Sequence, residues 1–160
     1  QRTAQAAARE LGKKYRMQLT GGDTQLDRRV IEMLRDPLVH MIRNSMDHGL
    51  ETPDQRTQTK KTPEGLIVLE AYQQSGQVML TISDDGKGID PERVKKKALE
   101  KEIITPEAAA KMTHNEALRL IFLPGFSTAE KVSSYSGRGV GMDAVKTAVE
   151  SIGGVVDIDS

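Results

Sequence analysis

Leu66-Ile67-Val68-Leu69-Glu70-Ala71-Tyr72, then Gln73-Gln74-Ser75-Gly76-Gln77, then Val78-Met79-Leu80-Thr81-Ile82-Ser83 decides the fold class. Two apolar runs rich in branched side chains flank a Ser-Gly turn signal, which predicts an antiparallel hairpin rather than strands separated by helices. Upstream, Lys14 to Thr20 alternates like a further strand and ends at the Gly21-Gly22 turn. Helical periodicity is expected over residues 2–11, Asp27 to Leu34 and Pro37 to His48. Asp36 is then the N-cap, Pro37 the first-turn residue, and Gly49 the left-handed residue that ends the helix. Glu51 to Glu64, polar with two prolines, reads as a surface loop. Pro91 to Glu100, Pro106 to Met112 and Asn115 to Phe122 read as short helices, Leu123 to Ser136 as a mobile flap, Gly139 to Ile152 as a helix, and Val155 to Ile158 as the start of a strand. This order predicts an α+β two-layer sandwich: a mixed, largely antiparallel sheet with helices on one face.

Composition narrows the function less than the motifs do. The 160 residues suit one domain of ordinary size, and no internal repeat or low-complexity run divides them. Lys plus Arg equals Asp plus Glu at 23 each, so there is no basic footprint for nucleic acid or for a membrane surface. The absence of cysteine removes disulfides and thiolate metal sites and fits a reducing, cytoplasmic setting. Gln1 to Lys13 is charged and Ala-rich, unlike a secretory leader, and no apolar run approaches the roughly 20 residues of a membrane span.

Four short segments carry the chemistry. In the first, His40, Asn44, Asp47 and His48 fall three or four apart and share one helical face. A solvated helix face is normally Lys and Glu, whereas these are side chains that coordinate and hydrogen-bond. Asn44 offers a neutral oxygen to a hard cation such as Mg²⁺. In the second, Asp84-Asp85-Gly86-Lys87-Gly88-Ile89 follows the predicted strand Val78 to Ser83. A carboxylate at the strand end can accept an exocyclic amine, and the glycines let the backbone approach a flat ring. The alternative is a plain Asp-Asp-Gly turn.

The third and fourth segments are Phe122-Leu123-Pro124-Gly125-Phe126-Ser127-Thr128 and Ser136-Gly137-Arg138-Gly139-Val140-Gly141-Met142. Glycines that open a helix direct backbone N–H groups and the positive end of its dipole at an anion, and Arg138 can add a charge. Neither a dinucleotide fingerprint nor a Walker A sequence is present, so phosphate binding must use another fold. Ser127 and Thr128 can bond phosphate when the flap closes. The rings of Phe122 and Phe126 are expected in the core.

Together these segments resemble the N, G1, F and G2 boxes of the GHKL ATPases, the superfamily of DNA gyrase, the ninety-kilodalton heat-shock chaperone, MutL and histidine kinases. Within it the chain is similar to the ATP-binding catalytic domain of CheA-type chemotaxis kinases. The carrying features are His40-x-x-Arg43-Asn44-x-x-Asp47-His48-Gly49-Leu50-Glu51, with histidine where gyrase-like members have glutamate, the Leu123 to Thr128 wording, and Ser136 to Asp143. The resemblance implies a Bergerat-type sandwich that binds ATP with Mg²⁺ on Asn44 and the adenine amine on Asp84. Gly86 and Gly88 would flank the base, and Gly137, Gly139 and Gly141 would contact phosphate. Arg43, Asp47, Lys87, Ile89, Phe126, Ser127, Thr128, Ser136, Arg138, Val140 and Met142 would complete the binding set, with His40 and His48 near the γ-phosphate.

The implied reaction moves that phosphoryl group to a histidine on a separate phosphotransfer domain. Further implied partners are the dimerisation, coupling and receptor-linked domains of a parent kinase. His114 reads as an exposed helix start, so no substrate histidine is expected in this chain. A Gly-Thr box does not occur before Ser160, which reads as a domain excised from a larger kinase without its final strand or strands. The competing class, an ATP-driven dimer clamp, calls for a carboxylate base where this chain has His40.

Overall fold

The computed structural model describes residues 12–126 and 141–160, which form two compact units, one extending to Gly88 and the other beginning at Ile89. Helix 2–11 of the sequence reading lies outside the described residues, as does the expected flap beyond Phe126.

The first unit is a mixed α+β assembly. Strand β1 (Tyr15–Thr20) pairs in parallel with β2 (Gly65–Gln74), which pairs antiparallel with β3 (Gln77–Asp84), giving the order β1-β2-β3. The hairpin expectation holds. Ser75 and Gly76 both take positive φ, 51° and 80°, the twist that a two-residue hairpin loop needs to match its strands. Alternation then sorts the side chains. Register pairs Ile67 with Asp84 and Leu69 with Ile82, so these four share one sheet face. That face is the covered one: Ile67 packs with Met46 and Leu50, joined by Tyr15, Ile42 and Ile82.

Helix α1 (Arg28–Asn44) corrects the two-helix reading. The cap is Asp27, whose carboxylate accepts the Arg29 N–H at 2.7 Å, and Pro37 lies inside the helix. Proline in a helix interior loses one backbone hydrogen bond and crowds the preceding turn. Here Leu34 and Pro37 are both buried, and the helix continues through the proline. Beyond Asn44 the chain widens into a π-helical turn, Ser45–Gly49, closed by the Leu50 N–H on the Ser45 carbonyl at 2.7 Å.

Helix α2 (Pro53–Gln58) occupies what reads as a loop. Its start is a capping box in which Thr52 and Gln55 satisfy each other's backbone N–H groups.

The second unit is helical: α3 (Pro91–Glu100), α4 (Pro106–Lys111), α5 (His114–Arg119) with a 3₁₀ turn Leu120–Phe122, and α6 (Met142–Ser151). Asp90, Thr105 and Thr113 cap the first three. Its core joins Val94, Ala98, Leu120 and Phe126. Val155 to Ile158 belong to no strand, contrary to the sequence reading. The period-two pattern is real, since Val156 and Ile158 are half-buried while Val155 and Asp157 are exposed. A strand also needs a ladder partner, and among the described residues this segment has none.

Gly21 sits at φ 79°, and a Cβ there would lie 1.7 Å from the Ala71 carbonyl oxygen. Gly21→Ala is therefore expected to destabilise the protein by about 1 to 3 kcal/mol, read as a lower urea midpoint at unchanged slope.

Candidate functional site

The amide-bearing end of α1 supplies the first half of the candidate site. Nδ2 of Asn44 donates to Nε2 of His40 at 3.0 Å, one helical turn back. The same bond turns the carbonyl end of the Asn44 amide away from His40, and that oxygen is the donor type a hard cation takes. Arg43 pairs with Asp47 at 3.5 Å.

The single-face wheel expected for residues 40, 44, 47 and 48 holds only through Asn44. The π-turn closes i to i+5 and moves Asp47 and His48 off the α-helical spacing, leaving His48 exposed. A turn of this kind also leaves carbonyls without helical partners. Lys13 meets two of them, donating Nζ to the Met46 and Asp47 carbonyl oxygens at 2.7 and 2.9 Å. Burial pushes the Lys13 ammonium below its ordinary range, the Asp47 charge works against that, and Lys87 adds to the depression.

The end of β3 supplies the second half. Asp84 lies on the same sheet face as Ile82 but at its uncovered end, so the carboxylate expected to be buried is exposed, and its Oδ1 accepts the Gly86 N–H at 3.0 Å. It meets the π-turn directly. A Cβ on Gly49 would stand 2.9 Å from both Asp84 carboxylate oxygens, and one on Gly86 would stand 2.3 Å from the Gly49 carbonyl oxygen. The Lys87 N–H closes the contact by donating to that same carbonyl at 3.0 Å.

Gly49 is therefore glycine for close approach. Left-handed backbone is not the reason, because Gly49 is absent from the positive-φ residues, whereas Gly88 has φ 71°. The motifs around Asn44 and Asp84 are thus brought together within one unit.

An ion cluster around one buried guanidinium, with Glu51 and Lys61 half-buried and Asp85 exposed, escapes a reading by motif. Arg56, from α2, is 1% exposed. Its Nη2 reaches Asp85 Oδ2 at 2.7 Å, its Nη1 reaches Glu51 Oε2 at 3.1 Å and the Asp85 carbonyl at 3.3 Å, and its Nε reaches the Thr62 carbonyl at 2.7 Å. Lys61 Nζ donates to Glu51 Oε1 at 2.8 Å and to the carbonyls of Asp85 and Gly86 at 3.0 and 2.7 Å. The remaining Asp85 oxygen accepts the Leu66 N–H at 2.9 Å.

Burial works to raise the Asp85 carboxyl, but the Leu66 N–H, the Arg56 hydrogen bond and the charges of Arg56 and Lys61 outweigh it and hold it below the ordinary carboxylate range. Glu51 follows the same balance: burial raises it, while the Lys61 hydrogen bond, its own backbone N–H and the two cations bring it down. The one available signal was the capping box Thr52-x-x-Gln55, which announces the helix that carries Arg56.

The other motif residues fall in the second unit or outside the described residues. The Ile89 N–H donates to Ser160 Oγ at 2.7 Å. Phe126 is buried with Val94, Ala98 and Leu120, and Lys97 lies 5.2 Å from its ring centre. Phe122 is buried as well, so both rings are core as expected. Lys101 Nζ holds the turn before the expected flap, donating to the Gly125 and Phe126 carbonyls at 2.9 and 3.1 Å. Gly141 is the buried N-cap of α6 and Met142 its first residue, so that helix begins slightly later than the expected Gly139. Ser127, Thr128, Ser136, Gly137, Arg138, Gly139 and Val140 lie outside the described residues.

Residues 33–160 match the family model described as histidine kinase-, DNA gyrase B-, and HSP90-like ATPase. The chain belongs to that ATPase family. It is 48% identical over 153 residues to the sensor histidine kinase CheAY of Helicobacter pylori, covering 96% of this chain and 19% of that protein. It is 47% identical over 152 residues to the chemotaxis protein CheA of Bacillus subtilis, covering 95% and 23% respectively. With the chemotaxis protein CheA of Cereibacter sphaeroides the identity is 48% over 159 residues, 99% of this chain and 23% of the relative. The chain thus spans about a fifth to a quarter of the length of these relatives. As an ATPase-family member it has the α+β Bergerat fold, and no described helix is long and apolar enough to cross a membrane.

Because Asp85 and Glu51 are held below their ordinary values of about 3.9 and 4.3, they stabilise the folded state fully above those values. That contribution is lost as pH falls through their lower folded-state values. Urea unfolding between pH 6 and pH 2 is expected to show this acid loss, with a shallower pH dependence in Asp85→Asn.

Proposed function

We propose that this chain is the ATP-binding catalytic domain of a CheA-type histidine kinase, which transfers the γ-phosphoryl group of ATP to a histidine on a separate phosphotransfer domain in chemotaxis or related motility signalling. The observation that carries the reading is the close approach of the Asp84 carboxylate to Gly49, which ends the π-turn that follows the Asn44-bearing helix. It joins a base-reading acid to a cation-binding amide within one unit, as a nucleoside triphosphate requires.

In this reading Asp84 accepts the adenine amine. Its Oδ1 is already oriented by the Gly86 N–H, and Oδ2 takes no hydrogen bond from a described residue. A base without the amine forgoes the hydrogen bond to this charged group. Gly86 and Gly88, followed by Ile89, border the base, and Lys87 adds positive charge.

Mg²⁺ fits the donor chemistry of Asn44. Among the described residues no three His, Cys, Asp or Glu side chains group to hold a metal by themselves, so the ion would draw on the amide oxygen, phosphates and water. When bound it neutralises phosphate charge. His40 orients the Asn44 amide through Nε2, which argues for a positioning role over that of general base. His48 and Arg43, with Asp47, stand at the phosphate end. In the same reading Gly137, Gly139 and Gly141 with Arg138 contact phosphate, assisted by Ser127, Thr128, Ser136, Val140 and Met142. Phe126 serves by packing the turn ahead of the flap.

The acceptor histidine comes from a partner domain, since His114 sits exposed at the start of α5, bonded to the Ser160 carbonyl at 3.2 Å. The dimerisation, coupling and receptor-linked domains belong to the parent protein, in the cytoplasm. The greater length of the relatives supports further domains beside this one.

Asp84→Asn is expected to weaken ATP binding by about 1.5 to 3 kcal/mol, as for a hydrogen bond to a charged group, or about 10- to 150-fold in Kd by calorimetry. Unchanged affinity would remove Asp84 from the pocket. Incubation of the full-length protein with labelled ATP, magnesium and a CheA phosphotransfer domain is expected to place acid-labile label on that domain. Hydrolysis to phosphate without any such label would refute the kinase reading.

A further inference from the structure

We infer that Arg56, assisted by Lys61, is a positioning residue that fixes the base-reading carboxylate of Asp84 through Asp85 and Gly86, and so sets the preference for adenine over guanine nucleotides. The inference rests on the reading of Asp84 as acceptor of the adenine amine.

Neither cation bonds Asp84 itself. Asp84 is aimed by one hydrogen bond, from the Gly86 N–H to Oδ1 at 3.0 Å. The direction of that N–H depends on the loop Asp85–Lys87, and the cluster holds nearly every polar atom of the loop. Arg56 takes Asp85 Oδ2 and the Asp85 carbonyl, the Leu66 N–H takes Oδ1, and the Asp85 N–H returns to the Leu66 carbonyl at 3.1 Å. Lys61 binds the Asp85 and Gly86 carbonyls, and the Lys87 N–H binds Gly49. Lys61 thus commits two of its three donors to main-chain oxygens on either side of the reader's hydrogen bond.

Ion pairing to a buried guanidinium is weak evidence for stability, because desolvation of Arg56 offsets much of the attraction. Fixing one loop geometry is a use that the bond pattern itself displays. Arg56 makes four hydrogen bonds to four different acceptors, from Glu51, Thr62 and Asp85, which a planar fork can do and a single ammonium cannot. Adenine offers an amine where guanine has a carbonyl oxygen. A carboxylate held in place accepts the first and repels the second, whereas a carboxylate on a loosened loop can turn aside from the mismatch. Site geometry must hold to within about 0.5 Å for such discrimination.

The test compares Kd for ATP and GTP, with magnesium, by calorimetry on the full-length protein in wild type, Arg56→Lys, Lys61→Met and Asp84→Asn. Loss of positioning is expected to lower the ATP-over-GTP preference by about ten- to a hundredfold in Arg56→Lys, with a smaller fall in Lys61→Met. A purely structural role would lower the melting temperature and leave the ratio of the two affinities unchanged. Lys61 is partly exposed, so its variant decides the question if Arg56→Lys does not fold. Wild-type preference in the folded Arg56 or Lys61 variants, with preference lost in Asp84→Asn, would overturn the inference and leave the adenine reading standing. Wild-type preference in Asp84→Asn would overturn the adenine reading, and the inference with it.

Discussion

Two glycine backbones meeting edge to edge connect the halves of the candidate site. Gly49 ends the turn that follows the Asn44-bearing helix, and Gly86 lies at the centre of the loop Asp85–Lys87 that follows the Asp84-bearing strand. No side chain fits between them, because a methyl group on either would overlap a carboxylate or a carbonyl at under 3 Å. The contact depends on the packing beside it, where Met46 and Leu50 lie on Ile67 and bring the π-turn down to the sheet. Gly65 serves the same approach, since a Cβ there would stand 2.7 Å from Leu50.

The polar support is of a different kind. Hydrophobic contact is non-directional and sets how near two elements come, whereas hydrogen bonds to charged groups set angle and register. Arg56, Lys61, Glu51 and Asp85 supply the second. Their charges balance, with two cations against two carboxylates, and the described residues contain no buried side-chain polar atom left without a partner. At the π-turn itself Lys13 does similar work on the Met46 and Asp47 carbonyls.

Local chemistry was legible and long-range chemistry was not. The hairpin turn at Ser75-Gly76 and the Pro-led starts of α3 and α4 depend on a few adjacent residues, and all were readable. Asp36-Pro37 carried an equally good local signal and misled, because burial of Leu34 and Pro37 outweighed it. The cap at Thr52-x-x-Gln55 was present but hidden among polar residues that also suit a loop. Arg56 was invisible as a site residue because its key partner Asp85 lies 29 positions away. The role of Gly49 was inverted for the same reason: its neighbour in space, Asp84, is remote in sequence.

The sequence by itself determined the hairpin, the Pro-led starts of α3 and α4, the α+β class and the motif residues that mark an ATPase of this family, since each follows from turn chemistry, periodicity or a short ordered pattern. Only the tertiary structure decided that α1 runs through its proline, that a π-turn displaces Asp47 and His48 from the expected face, and that a buried guanidinium lies under the Asp84 loop. Those outcomes depend on the free energy of bringing distant residues together, through burial at Leu34 and Pro37 and ion pairing between Arg56 and Asp85, and no local pattern contains that term.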